Sequence, residues 1–174
     1  DEFLRFYNST MPDRRALFEE VGITNAKSVK ESAWMWVERF EWWGQSERVI
    51  KLADQILAEP EDFSISCSDG SKICSNQEDL ALMGNIYAFW TSSHAKKSGY
   101  NQQIIDRALV MLKSLPALID CTTEQALARA RLNTAIGYQR RLGGMLDQAA
   151  GYYIEAKAAF RQLGERLADC EDEY

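Results

Sequence analysis

Few residues in this chain combine a type and a spacing that could make or break bonds. The one histidine, His94, falls late in a helical stretch among Ser92, Ser93 and Lys96. That setting reads as surface rather than as a catalytic base, and a single histidine rules out a His-rich metal site. The four cysteines, Cys67, Cys74, Cys121 and Cys170, contain no C-x-x-C pair and do not read as a zinc site. Cys67 and Cys74 bracket Ser-Asp-Gly-Ser; a tight turn at Asp69-Gly70 would set Cys67 opposite Lys72, so a bridge needs a wider loop. Reduced thiols in a cytosolic protein are the expectation. The carboxylate pairs Glu19/Glu20 and Glu38/Glu41 have helical spacings usual on a solvated face, with nothing nearby to raise a pKa. Arg129, Arg131, Arg140 and Arg141 could take a phosphate or an acidic peptide. Over 122–174, however, eight acids nearly balance seven bases, which reads as local pairing. No G-x-x-x-x-G-K-[ST], G-x-S-x-G or H-E-x-x-H motif occurs. The expectation is a non-enzymatic protein without a metal or cofactor.

Composition points the same way. The 174 residues are 46% apolar, 11% aromatic and 26% charged, with net charge −6, enough chain to bury a core without metals or disulfides. A pI near 4.9 argues against a nucleic-acid footprint. No apolar run reaches the roughly 18 residues of a membrane span, and no signal peptide opens the chain. Asn8-Ser9-Thr10 matches a glycosylation acceptor but means little without such a signal. A soluble, cytoplasmic domain is expected, and a start at Asp1 rather than Met suggests an excised part of something larger.

The elements that would position these side chains are helices. Ser28-Val-Lys-Glu31, Ser75-Asn-Gln-Glu78 and Thr122-Thr-Glu-Gln125 read as capping boxes, and Met11-Pro12-Asp13 starts a short helix that Gly22 ends. Stops fall at Gly44, Pro60, Gly99, Pro116, Gly143-Gly144 and Gly164. The marks predict a helical region over 2–22 and helices near 29–43, 46–58, 76–97, 102–115, 123–142 and 146–163. Phe63 to Cys67 alternates like a short strand.

The six main helices pair into three hairpins that form an internal repeat. Gly44, Gly99 and Gly144 occupy the turns; Val49, Ile104 and Ala149 follow five residues later, then Ala53, Ala108 and Tyr153, then Ile56, Met111 and Ala156. That spacing gives each second helix one buried stripe. A lone hairpin cannot enclose its own apolar faces, so stacking follows: the predicted fold is all-α, a right-handed α-solenoid of about three antiparallel helix hairpins. Residues 1–28 are expected to be an N-terminal helical segment, 29–164 the repeat domain with an insertion at 61–74, and 165–174 the start of a truncated helix.

The stretch AIGYQRRLGGMLDQAAGYYIEAKAAFRQLG resembles the tetratricopeptide repeat family, through Ile136-Gly137, Gly144, Ala149, Tyr153 and Ala156. It is similar to repeats of large bacterial signal-transduction NTPases and transcription regulators. The first hairpin resembles the family through Phe40, Gly44 and Pro60, the second through Gly99 and Pro116. Gly137 and Ala149 are small where two helices would cross closely, and Tyr153 would fill the gap between hairpins.

The resemblance implies that the first helix of each hairpin lines a concave groove. Glu31, Trp34, Glu38, Glu41 and Trp42 would come from the first, and Ile86, Phe89, Ser93, Lys96 and Lys97 from the second. Arg131, Thr134, Tyr138 and Arg141 would come from the third. Charge would then run from acidic at the first hairpin to basic at the last, orienting a ligand of complementary charge. Trp36, Val37, Phe40 and Trp43 share one helical face and are expected in the core; Trp34 and Trp42 lie off it. The expected role is protein–protein contact or regulatory relay in signal transduction or transcription regulation. Partners would be a protein, a peptide or other domains of the same chain, and neither nucleic acid nor membrane. A sensor binding a small molecule or short peptide in the groove is the alternative. Apolar Leu163 and Leu167 at the solenoid end would permit a homo-oligomer.

Overall fold

The three turn glycines adopt the backbone that the repeat demands. In the computed structural model, which describes residues 26–63, 65–67, 74 and 76–171, Gly44, Gly99 and Gly144 have φ of 67°, 74° and 75°. This left-handed region penalises a Cβ. At Gly44 and Gly144 the same Schellman pair closes the preceding helix. Gln45 N–H reaches the Phe40 carbonyl at 2.8 Å and Gly44 N–H that of Glu41 at 3.0 Å; Met145 and Gly144 repeat this on Arg140 and Arg141 at 3.0 and 3.1 Å.

Six α-helices, and no strand, occur among the described residues: α1 (Ala26–Trp42), α2 (Ser46–Ala58), α3 (Gln77–Ser98), α4 (Gln102–Ser114), α5 (Thr123–Leu142) and α6 (Leu146–Glu171), with 3-10 turns at Pro60–Phe63 and Leu118–Asp120. The Thr122–Gln125 capping box forms in full. The other two start signals are displaced. Asn76, not Ser75, caps α3, accepting from Asp79 N–H. The helix-forming Ala26 and Lys27 carry α1 upstream of Ser28, which therefore cannot be its cap. Gly164 does not stop α6: it is helical, and buried Leu163 holds the helix past it. The segments 2–22, Asn8 and Asp69-Gly70 lie outside the described residues, as do the side chains of Leu167 and Cys170.

The buried stripe of each second helix is present. Val49, Ala53 and Ile56 are buried in α2, Ile104, Ala108 and Met111 in α4, and Ala149 and Ala156 in α6, with Tyr153 half-buried. Contacts reveal how the helices run. Trp34–Phe89 and Glu41–Lys96 keep a constant offset, so α1 and α3 are parallel. Asn85–Arg131 and Gln139–Thr91 have nearly equal offsets, 46 and 48, so α3 and α5 are parallel too. Trp90–Asp54 and Lys97–Glu47 keep a constant sum, so α2 is antiparallel to α3. Extensive packing joins helices one or two steps apart in chain order: α1 with α2 and α3, α3 with α2, α4 and α5, and α5 with α4 and α6.

Small residues set the approach distances. A Cβ added at Gly84 of α3 would lie 3.0 Å from Ala128 Cβ of α5. One added at Gly137 of α5 would lie 3.0 Å from the Tyr153 ring and 3.3 Å from the Ala149 carbonyl of α6. Aromatic placement departs from expectation at one position. Val37 and Phe40 are core and Trp36 half-buried, but Trp43 is 57% exposed because it sits past the end of α1, in the turn.

The insertion also corrects two expectations. Phe63, Ile65 and Cys67 do alternate into the core, yet among the described residues the pairing they gain is an isolated antiparallel bridge from Cys67 to Cys74, not a strand. Those two cysteines are disulfide-bonded across a separation of 7 residues, not reduced. The bridge sets the two cysteines opposite each other, with Cys67 buried. Cys121 is a buried free thiol. Leu163 is likewise buried, against Cys121 and Ala126, so it offers no end surface; among the described residues the large apolar side chains that α6 exposes are Leu146, Ile154 and Phe160.

Two sets of substitutions test this packing by urea denaturation. Gly137→Val should lower stability by about 1–3 kcal/mol, because Tyr153 and a backbone carbonyl must yield. Gly151→Ala, in the open on α6, should raise it by about 0.5–1 kcal/mol. Replacing Cys67 and Cys74 together by Ser should lower stability by about 2 kcal/mol, the loop-closure contribution of a short loop.

Candidate functional site

One residue from each of the parallel helices meets at the centre of their shared face. Trp34 and Phe89 each stand ten positions before their turn glycine, so the repeat brings them side by side, stacked at 5.4 Å and 6°. The equivalent in α5 is Thr134, too short to extend the stack. Arg131, one turn earlier, reaches over instead, its guanidinium 5.1 Å from the Phe89 ring centre and 5.9 Å from that of Trp34. Its planar fork also donates to Asn85 Oδ1 at 2.9 Å and pairs with Glu38 at 3.6 Å. Burial pulls the Arg131 pKa down, and Glu38 pulls it back up.

This stack divides the face into two open concavities. The first, about 310 Å³, lies toward the helix N-termini and is walled by Glu31, Trp34, Glu38, Glu78, Glu124 and Arg131, among others. The second, about 380 Å³, lies toward the C-termini and is walled by Phe89, Lys96, Arg131, Tyr138, Arg141 and Phe160, among others. Glu41 and Thr134 also line the second. Thus Glu31, Trp34, Glu38, Phe89, Lys96, Arg131, Tyr138 and Arg141 share one face. Four expected members do not join them. Ser93 is fully buried, donating to Glu41, and lines neither concavity. Trp42 is 81% exposed at the turn, outside both concavities. Lys97 points to α2, pairing with Glu47 at 3.4 Å. Ile86 is fully buried in the core.

The direction of the charge gradient differs from the expected one. Glu41 accepts from Ser93 Oγ at 2.9 Å and pairs with Lys96, while Glu38 pairs with Arg131, so the acids of α1 are met by bases of the next helices. What survives runs along the helix axes. Around the first concavity four carboxylates (Glu31, Glu38, Glu78, Glu124) face two cations (Lys30, Arg131). Around the second, three cations (Lys96, Arg131, Arg141) face one carboxylate, Glu41. Arg141 lies over the Tyr138 ring at 5.1 Å.

Beneath the acidic end lies a buried hub that spacing alone did not single out. Asp79 is 1% exposed and accepts from Lys30 Nζ at 2.7 Å, Ser66 N–H at 2.8 Å and Asn76 Nδ2 at 2.9 Å. It ties α1, the segment just before Cys67 and the start of α3 together. Burial pushes its pKa up, but the bonds from Lys30, Ser66 and Asn76 together outweigh this and leave it lowered. The Lys30 pKa is raised, chiefly by its hydrogen bond to Asp79. The other basic residues act locally. Arg129 donates to the Leu112, Leu115 and Pro116 carbonyls, closing α4, and Arg140 bonds Gln102 and Met145.

His94 is half-buried rather than on the surface, its ring 4.8 Å from Trp90 and edge-on to it. Burial lowers its pKa; Asp54 opposes this, and Arg107 and Lys97 add to it. Sequence reading also passed over Asn85, Glu124 and Phe160 of the two walls. Glu124 was legible as a first-turn acid and Phe160 as one turn beyond Ala156. Asn85, which orients Arg131, carries no local signal.

Asp79→Asn should lower stability by about 3 kcal/mol at neutral pH, since Lys30 loses its charge partner and an amide cannot accept from three donors. A lowered carboxyl pKa means stability that is present above the ordinary carboxylate range and lost as pH falls through the folded value. The raised Lys30 pKa is felt only at alkaline pH, where its contribution is lost as pH rises through the folded value. The variant should therefore lose less stability than the parent between pH 5 and 2, read from thermal midpoints across that range (roughly the span of a paired carboxylate).

The charged groups of this face are largely engaged with each other and its aromatic pair is stacked. No group of His, Cys, Asp and Glu able to hold a metal ion occurs among the described residues. Nor is any helix among them long and apolar enough to cross a membrane. The chain matches no family model, no curated protein and no solved structure.

Proposed function

We propose that this chain is a tetratricopeptide-like α-solenoid of three hairpins, and that the shared face of α1, α3 and α5 binds a protein partner, most simply a peptide segment. The observation that carries the reading is the register of that face. Three parallel helices, spaced by equivalent left-handed glycines, present the Trp34–Phe89–Arg131 stack between two concavities. Packing of each helix on those one or two steps along the chain is what a solenoid requires.

A binding role rather than a catalytic one fits the pairing of Glu38 with Arg131 and of Glu41 with Lys96. The proposed setting is a regulatory relay within a larger signalling protein or transcription regulator. A sensor of small molecules is the second reading, favoured by the aromatic wall of Phe89, Tyr138 and Phe160 around a volume of about 380 Å³, at the low end of ligand pockets. The charged rim of Lys96 and Arg141 and the open mouth favour the peptide.

Selection of random eight-residue peptides on the purified protein, with affinities from fluorescence anisotropy, tests the reading. Trp34→Ala and Arg141→Ala should each weaken the selected peptides by about tenfold, as for central anchors. Unchanged affinity in both variants would sink the assignment of this face.

A further inference from the structure

The two concavities have opposite charge, and one wall, Arg131, belongs to both. We infer that the bound segment is itself charge-segregated: basic at the end lying toward the N-termini of α1, α3 and α5, apolar or aromatic in the middle, and acidic at the other end. The inference rests on the trough being the binding face, and adds the chemistry and alignment of its occupant.

Three observations carry it. Around the first concavity, the two cations are already held: Lys30 by Asp79 at 2.7 Å and Glu78 at 3.8 Å, Arg131 by Glu38 at 3.6 Å. An incoming cation therefore meets carboxylates in excess, with Glu124 added from the first turn of α5. At the far end, Glu41 is engaged by Ser93 and Lys96, whereas Arg141 has no carboxylate partner among the described residues and rests on Tyr138. An incoming carboxylate finds an exposed guanidinium held over the Tyr138 ring, its planar fork free to take both oxygens. Between them the stacked pair Trp34–Phe89 offers an apolar surface without a charge to satisfy it except Arg131, which is committed to Asn85 and Glu38.

Charge complementarity also sets the alignment. The gradient runs along the helix axes, so the segment lies along α5 rather than across the hairpins. From Glu124 to Arg141 is about 25 Å at 1.5 Å per helical residue, which an extended chain of about eight residues spans. Opposite ends in the wrong concavities would bring like charges together, which discriminates against uniformly acidic, uniformly basic and charge-alternating segments.

The probe is the same random eight-residue library, with blocked termini so that only side chains carry charge, selected in parallel on the parent protein and on a variant with Lys96→Glu and Arg141→Glu. Parent binders should place bases in one half and acids in the other. A charge-scrambled isomer of each should bind about tenfold more weakly, and the difference should shrink as salt rises. On the reversed variant, acids should vanish from their half while the basic half is retained. Enriched peptides without segregation, still weakened by Trp34→Ala, would overturn this inference and leave the trough standing. Binders indifferent to Trp34→Ala and to the double reversal would overturn both. Circular dichroism of the reversed variant, expected to match the parent, shows that the change in selection is not a loss of fold.

Discussion

The close approach of α3 and α5 is the constraint from which the rest of the molecule follows. A methyl group at Gly84 would press on Ala128 at 3.0 Å, so the two backbones run parallel at short range and their outward residues are forced into one surface. α5 then accepts α6 through a second small residue, Gly137, against Tyr153. Because interiors are packed to crystal-like density, a larger residue at either position would tilt a helix and uncouple the residues it carries. The stack of Trp34, Phe89 and Arg131 exists because its three helices are held in fixed register, not because of any attraction strong enough to impose that register.

That constraint explains which parts of the fold were legible in the sequence. Periodicity is a local signal, so the stripes Val49–Ala53–Ile56 and Ile104–Ala108–Met111 could be read directly. Turn chemistry is local too, and Gly44, Gly99 and Gly144 announced their own φ. Thr122 was a legible cap because its partner Gln125 lies three residues away, within the same motif. Ser28 and Ser75 misled because the boxes they form on paper compete with neighbours: helix-forming Ala26 and Lys27 in one case, Asn76 with buried Asp79 in the other.

What could not be read were the interactions between segments distant in the chain. Nothing near Asp79 says that Lys30 and Ser66 will converge on it. Nothing in the spacing of Cys67 and Cys74 says that they will meet, because Cys67 is placed by its burial in the core beside Phe63 and Ile65. For the candidate site, the residues were found but their relationship was not. Reading charge hairpin by hairpin put Glu38 and Glu41 at one pole and Arg131 and Lys96 at the other; in three dimensions these are each other's partners.

The polarity that remains has a cause older than any ligand. Helix N-termini carry partial positive charge and favour acids, whereas C-termini favour bases. Glu78 and Glu124 stand in the first turns of α3 and α5, and Lys96 and Arg141 in their last. In helices that alternate in direction these preferences cancel across a surface. Here the first helices of the hairpins are parallel, so the same preferences add, and a device that stabilises each helix by a few tenths of a kcal/mol becomes a field along the whole face. Parallel packing of α1, α3 and α5 thus gives one face opposite charge at its two ends without a residue being placed for that purpose. Between those ends Trp34 and Phe89, each ten positions before its turn glycine, supply an aromatic centre.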